Sequence, residues 1–498
     1  PTTMLDDFLG WFQANGGTVD LGVMGITEFP GSGRGAVALC DIPIDHTLFT
    51  LPRSLTLSTR TSPLPLLFGI DKWRAHKLHK NWVGLILCLM WEDARAHDDV
   101  PCIPGATKWS PYMRTLPITF HTPMFWSEDD LQELKGTTVV DKIGRDDAER
   151  AYLETLLPAI KSCPSLFPPS HLSRWYTLEA YHRAGSRVLS RSFTVSKWTN
   201  DDDSDGPAPD DGDDNADDHG SEGEPEGPVS DDMDNRANTS FGSAMDVDEP
   251  VANSEVNLPE NHDDTDDDED DPSDVAMVPM ADLLNARWRS ENAKLFYEPH
   301  VLRMATTKPI KKGEQIFNTY GDPPNSDLLR RYGHVDLIPL NVNTKETTNT
   351  LGNPSDVVEV KADLVADVVR LQWATKGQGD RDITDRIEWW LDEGGDECVR
   401  ALPPYQFPRE LTAFIALLLP GTDFAAIRTK GKPPKGKQSD SKVLSVLADV
   451  LKRREGMYAG GNDDKQLLTS ASLTTNKRHA IIVRLGEKQI LRVARESV

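Results

Sequence analysis

Cysteine is scarce in this chain of 498 residues: Cys40, Cys88, Cys102, Cys163 and Cys398 are scattered, with no C-x-x-C pair and no His at ligand spacing. That scatter argues against a disulfide framework and against structural zinc, and it suits a reducing compartment. Long apolar runs are missing too. The longest, Trp82 to Trp91, falls far short of the ~20 residues that span a bilayer, and the first residues lack a charged, apolar, small-residue signal pattern. A soluble protein of the nucleus or cytoplasm, with no membrane partner, is the expectation. Positive charge is also in deficit, with 54 Lys and Arg against 80 Asp and Glu and a net charge of -26. Yet residues 201–274 alone hold 30 of the acids against one Arg, so the rest of the chain carries a net +3. The acidity belongs to one insertion and says nothing about what the folded body binds.

What is present divides into blocks. Leu5, Phe8, Leu9 and Phe12 lie at helical spacing and stop at Asn15-Gly16-Gly17, which predicts a short packing helix. From Val23 to Leu57, short runs such as Ala36-Val37-Ala38-Leu39 and Thr47 to Leu51, set off by Gly and Pro, predict small twisted strands. Helical periodicity then dominates to Phe193, as in Trp82, Leu85, Ile86, Leu89 and Met90. Residues 199–274 have too few large apolar residues to offset chain entropy and are expected to be disordered. Strands resume from Val275 to Phe317. After Thr347, stripes such as Val365, Val368, Val369 and Leu411, Phe414, Ile415, Leu418 predict helices, with a mobile basic loop at 429–437. The boundaries drawn are 1–71, 72–198, 199–274, 275–346 and 347–498.

Two segments carry chemistry. Asn318-Thr319-Tyr320-Gly321 and Tyr332-Gly333 put two Tyr-Gly pairs twelve residues apart, and Val278 to Asn285 reads as a buried strand whose last polar residues line something. The bland reading of either tyrosine is a core aromatic with a satisfied hydroxyl. Gly31-Ser32-Gly33-Arg34-Gly35-Ala36 fits the dinucleotide fingerprint, but it follows Phe29-Pro30, leads into strand-like residues and has no acid at the required distance. A hairpin turn, or a Gly-rich turn whose backbone approaches a ligand, remains for it.

Gly33 to Ala38 with Asp41-Ile42-Pro43 and Leu51-Pro52-Arg53-Ser54-Leu55, then Ser190-Arg191-Ser192-Phe193, Val278 to Asn285, and Lys312 to Gly321 together resemble SET-domain protein lysine methyltransferases. Within that family the likeness is to the plant Rubisco and related non-histone class, and to the fungal ribosomal lysine methyltransferase 4 group and its animal counterpart. His121 to Trp126 and Asn318 to Val335 are the specific links. The resemblance implies an α+β fold: a SET domain of small twisted sheets, a helical insertion and a helical carboxy-terminal substrate-binding lobe. It implies S-adenosylmethionine as cofactor and Tyr320 as the catalytic tyrosine. Thr56, Leu57, Ser58, Arg191, Asp282, Asn285, Ala286 and Tyr332 would contact the cofactor, with Tyr332 near its adenine, and Ser192 and Thr194 would line the lysine path. No metal is implied. The partner is a basic protein, most naturally a large-subunit ribosomal protein receiving one methyl group, with no direct nucleic-acid contact and a monomeric enzyme.

Methyl transfer to an amine is an in-line displacement, so positioning and an apolar channel that neutralises the lysine are what the protein must supply. One departure stands out: the family's Asn-His pair is Asn285-Ala286 here. If the His acts through its backbone, Ala suffices; if its imidazole matters, a silent scaffold that holds basic proteins is the alternative. The acidic insertion is either a solvated linker or a docking tail.

Overall fold

In a computed structural model the described residues are 3–97, 107–195, 274–339, 351–373, 380–393, 395, 398–401, 409–436, 440–461, 464–470 and 472–496. The expectation for 199–274 therefore lies outside them, apart from Asp274. The first helix, Met4–Ala14, is opened by a capping box, with Asp6 N–H donating to Thr3 Oγ1 (3.2 Å) and Thr3 N–H to Asp6 Oδ2 (2.9 Å). Such a cap contributes about 1 kcal/mol. Its buried face, Phe8, Trp11 and Phe12, packs on Trp109 and Tyr112 of the insertion.

Two small antiparallel sheets frame the site. One runs β1 (Thr18–Val19), β4 (Thr47–Pro52), β8 (Val301–Thr306), β7 (Ala293–Tyr297); the other runs β2 (Met24–Phe29), β3 (Gly33–Ala38), β9 (Gln315–Ile316). The β2–β3 hairpin turns through Gly31 and Gly33, both at positive φ (78° and 67°), where a Cβ would be strained. The Gly-rich motif is thus a strand-to-strand turn, with no helix after it. Leu51 faces Leu302 and Ala36 faces Ile316, so both sheets join residues from either side of the insertions. A two-stranded ladder, β5 (Ser192–Thr194) with β6 (Val275–Met277), pairs Thr194 with Val275, and Val195 N–H donates to the Asp274 carbonyl at 2.7 Å.

The run Val278 to Asn285 is not a strand. β6 stops at Met277, Pro279 has no N–H with which to extend a ladder, Met280 takes φ +75°, and Ala281–Leu283 form one 3-10 turn. Burial, not strand pairing, explains its apolar character: Met280 and Ala281 are fully enclosed.

Between the sheets, helices such as Val83–His97 and Leu178–Arg191 form the insertion. Arg187, buried on the latter, pairs with Asp93 Oδ2 (2.8 Å) and donates to the Pro117 carbonyl (3.0 Å). The carboxy-terminal lobe contains helices Ala362–Trp373, Asp380–Asp392, Arg409–Leu418, Ser441–Glu455 and Thr475–Glu496 around Val365, Phe414, Ile415, Leu447 and Leu491. It also holds two small ladders the helical reading omits: β10 (Ile338–Pro339) with β11 (Leu351–Gly352), and β12 (Val358–Lys361) with β13 (Cys398–Ala401). The tract 429–437 is not simply a loop. Its first residues complete the helix Phe424–Lys430, closed by Gly431 at φ +58°, and Gly436 sits against the Thr412 backbone, where a Cβ would come within 2.2 Å.

The last helix joins the lobe to the rest. Leu329, Ala480 and Val483 form an apolar seam with Trp126, Leu134 and Val139 of the insertion. Buried Glu487 accepts from Thr138 N–H (2.9 Å), the Tyr458 hydroxyl (2.8 Å) and Arg454 (3.3 Å). Burial pushes that carboxyl up to about 7, opposed by Arg454 and these donors.

Candidate active site

The segments that carry Asn285 and Tyr320 cross through the main chain at Asn318. Asn318 N–H donates to the Asn285 carbonyl (3.0 Å), and Ala286 and Asn318 form an isolated parallel bridge. This crossing comes from turns and single bridges, because neither residue lies in a strand. Tyr320 then stacks on Tyr332, with centroids 4.3 Å apart and planes 5° from parallel. Tyr332 ends the helix Asn325–Tyr332, stopped by Gly333 at φ +74°. A Cβ at Gly333 would lie 2.9 Å from the His121 carbonyl carbon, so this glycine lets the 121–126 segment close against the site.

Tyr320 is a wall common to two hollows. One is lined by Arg191, Ser192, Phe193, Asp282, Leu284 and Tyr332; the other by Ala286, Trp288, Pro323, Leu328, His334 and Asp336. The first is charged. Arg191 donates to the backbone carbonyl of Asp282 and lies 3.8 Å from its carboxylate, whose Oδ2 accepts from the Tyr112 hydroxyl at 2.9 Å. Burial pushes the Asp282 carboxyl up to about 6, resisted by Arg191, Tyr112 and Arg34. Burial also raises the Tyr320 hydroxyl well above its ordinary range, with Tyr332 and Asp282 adding to the shift and Arg191 opposing it. Tyr320 is therefore a neutral hydrogen-bonding group at working pH. In the second hollow, burial lowers His334, so its imidazole is neutral.

Several enclosed polar atoms here have no partner: Asp282 Oδ1, Ser192 Oγ, Asn285 Nδ2, Gln315 Nε2 and Arg34 Nη1. Buried polar groups are ordinarily paired, and a cluster of unpaired ones of both signs suits a polar, zwitterionic ligand. Gly35 makes the space for two of them, because a Cβ there would fall 2.5 Å from Gln315 Nε2 and 2.7 Å from Asn285 Nδ2.

Arg191, Ser192, Asp282, Asn285, Ala286, Tyr320 and Tyr332 are thus brought together. Thr56, Leu57 and Ser58 are not among the residues lining the hollows. Leu57 exchanges backbone hydrogen bonds with Met277 (2.9 Å each way), the Thr56 hydroxyl donates to the Arg53 carbonyl, and Ser58 turns toward Thr61. Thr194 is exposed at the far end of β5. Tyr332 lines the Arg191 hollow. Tyr112 and Trp288 were not singled out in sequence, each being a lone aromatic residue in a short segment with no periodicity to flag it, and Arg34 and Gln315 lie inside quoted motifs without having been given a role.

The comparisons agree with this architecture. The chain superimposes over its whole length on the SET domain of LSMT bound to lysine and AdoHcy (TM-score 0.63, 16% identity, 91% of that chain) and on Rubisco LSMT bound to AdoMet (TM-score 0.59, 16% identity, 92% of that chain). This is a SET fold of the Rubisco LSMT type. Residues 377–491 of this chain match the Rubisco LSMT substrate-binding family, a stretch that lies in the carboxy-terminal lobe. It is 28% identical over 306 residues to ribosomal lysine N-methyltransferase 4 of Saccharomyces cerevisiae, covering 61% of this chain and 49% of that protein. It is also 28% identical over 344 residues to zebrafish N-lysine methyltransferase setd6 (68% and 58%), and 27% identical over 490 residues to human SETD6 (92% and 83%). The chain spans about half the length of the yeast relative and less than two thirds of the zebrafish one.

Proposed function

We propose that the protein transfers a methyl group from S-adenosylmethionine to a lysine of a protein substrate, and that the substrate is a basic large-subunit ribosomal protein receiving one methyl. The observation that carries this reading is the Asn285–Asn318 crossing, which makes Tyr320 the shared wall of a charged hollow and an aromatic one. The relatives' names and the substrate-binding lobe support it. When bound, the cofactor supplies a sulfonium-activated methyl; the N–C bond forms as the S–C bond breaks, and the amine's proton passes to solvent.

Arg191 would pair with the cofactor's carboxylate, and Asn285 and the Asp282 Oδ1 would take its remaining polar groups. Tyr320 would orient the amine lone pair with its hydroxyl, and Ser192 and Phe193 would keep water from the lysine path. Ala286 makes its contact with Asn318 through backbone, so the bridge does not need an imidazole. Labelled S-adenosylmethionine incubated with a ribosomal fraction tests the reading. Label in no protein from wild-type enzyme would favour the silent scaffold.

Gly35→Ala is expected to weaken S-adenosylhomocysteine binding by about tenfold or more while costing no more than about 1–3 kcal/mol of stability, because the new methyl must displace Asn285 and Gln315. Calorimetric titration beside a melting curve checks both. Deleting 201–273 is expected to leave turnover of a short peptide unchanged and to weaken capture of a full-length basic protein at low salt. Equal capture by both forms would leave the segment a linker. Asp274 is kept because it pairs with Arg60.

A further inference from the structure

The insertion segment Trp109–Pro117 is pinned at three points, one of them on the charged hollow itself. The Tyr112 hydroxyl donates to Asp282 Oδ2 (2.9 Å), Arg34 donates to the Thr115 carbonyl, and Arg187 to the Pro117 carbonyl (3.0 Å). Tyr112 is fully buried, its ring held between Phe8, Trp11 and Trp109. Its hydroxyl can therefore point only where the packing sends it. Asp282 lines the hollow with one carboxylate oxygen occupied by this bond, its main-chain carbonyl occupied by Arg191, and Oδ1 enclosed without a hydrogen-bond partner among the described residues.

We propose that Tyr112 is a positioning residue of the transfer site: it locks the Asp282 carboxylate so that Oδ1 stays free to accept a hydrogen bond from a bound cationic amine, while Arg191 is held to take the opposite charge. This deepens the methyltransferase reading and rests on it. The amine is the α-ammonium of the cofactor's amino-acid end, since Arg191, the group suited to the matching carboxylate, is held by the same residue. Without the hydroxyl, Asp282 loses the side-chain donor that fixes Oδ2 and can turn Oδ1 away.

The groups facing Asp282 are Tyr112 from the insertion, Arg191 from the Leu178–Arg191 helix, Arg34 from β3 and Tyr320 across the hollow; Tyr112 itself faces Arg191 and Arg187. Burial already raises the carboxyl to about 6, and the Tyr112 bond holds it down. Losing that bond moves it further up, so binding that needs the charged carboxylate fades at a higher pH as pH falls.

The test is calorimetric titration of the full-length protein with S-adenosylhomocysteine between pH 5.5 and 8.5. Tyr112→Phe is expected to weaken binding about tenfold at pH 7 and to move the acid limb up by about one pH unit, with the ring still packed. In an Asp282→Asn background the same change is expected to have no further effect. Wild-type affinity and pH dependence in Tyr112→Phe, or an equal loss in both backgrounds, would overturn the role of Tyr112 and leave the methyltransferase reading standing. A wild-type protein that binds no S-adenosylhomocysteine would remove that reading, and this inference with it.

Discussion

Tyr320→Phe is expected to cut methyl incorporation by about 10²–10³-fold, the usual loss when one preorganised hydrogen-bonding group at a reacting centre is removed. Affinity for S-adenosylhomocysteine should stay within about threefold, because an interaction made mainly in the transition state appears in kcat rather than in binding. Folding should hardly change: the phenyl ring keeps its stack on Tyr332 at 4.3 Å, and only a hydroxyl leaves. The measurement is label transferred to a ribosomal fraction, with calorimetry on the same preparation. A variant as active as wild type would remove Tyr320 from the chemistry and leave it a packing residue between two hollows.

The second large effect concerns stability. Arg484, 1% exposed on the last helix, donates to Asp464 Oδ1 through Nε (2.9 Å) and Nη2 (2.5 Å), and to both the carbonyl (3.1 Å) and the carboxylate (3.0 Å) of Glu133 in the insertion. It therefore links the lobe to the insertion across 351 positions of sequence. Arg484→Met is expected to cost about 3 kcal/mol, because it takes the two-pronged donor from the buried Asp464 carboxylate. Asp464 keeps Lys488 at 2.8 Å, and Glu133 keeps Lys477 at 2.7 Å. Adding Asp464→Asn should recover part of the loss, since a neutral amide needs no countercharge. Chemical denaturation of the three forms measures this, and a loss below about 1 kcal/mol would class the bridge with ordinary surface ion pairs. The same junction carries Asn325, whose N–H donates to Asp356 Oδ1 (2.7 Å), so weakening the lobe is expected to loosen the helix that presents Tyr332.

Much of this was legible in the residues. Alternation and Gly or Pro punctuation located β3, β4, β7 and β8, and helical stripes located helices of the lobe, because both signals come from elements long enough to show a period. The crossing of the Asn285 segment with the Asn318–Tyr320 segment was legible from motif resemblance alone, since nothing in the spacing says that two segments more than thirty residues apart will cross. Val278 to Asn285 misled because burial on all sides makes a turn as apolar as a strand. The ladder β12–β13 was missed although Val358-Glu359-Val360-Lys361 alternates, four residues being too few to outweigh the helix that follows. Tyr112 carried no local signal at all; its role arises from a hydrogen bond to a residue 170 positions away.

The Val195–Asp274 contact has a consequence for how this chain can vary. The two ends of the acidic segment leave and re-enter at adjoining positions beside one ladder, where the chain is already closed on itself by backbone pairing. A change in the length of that cassette is therefore expected to leave the Arg191 hollow unaltered. The same splice point offers a place to graft a fluorophore or a capture tag close to Ser192.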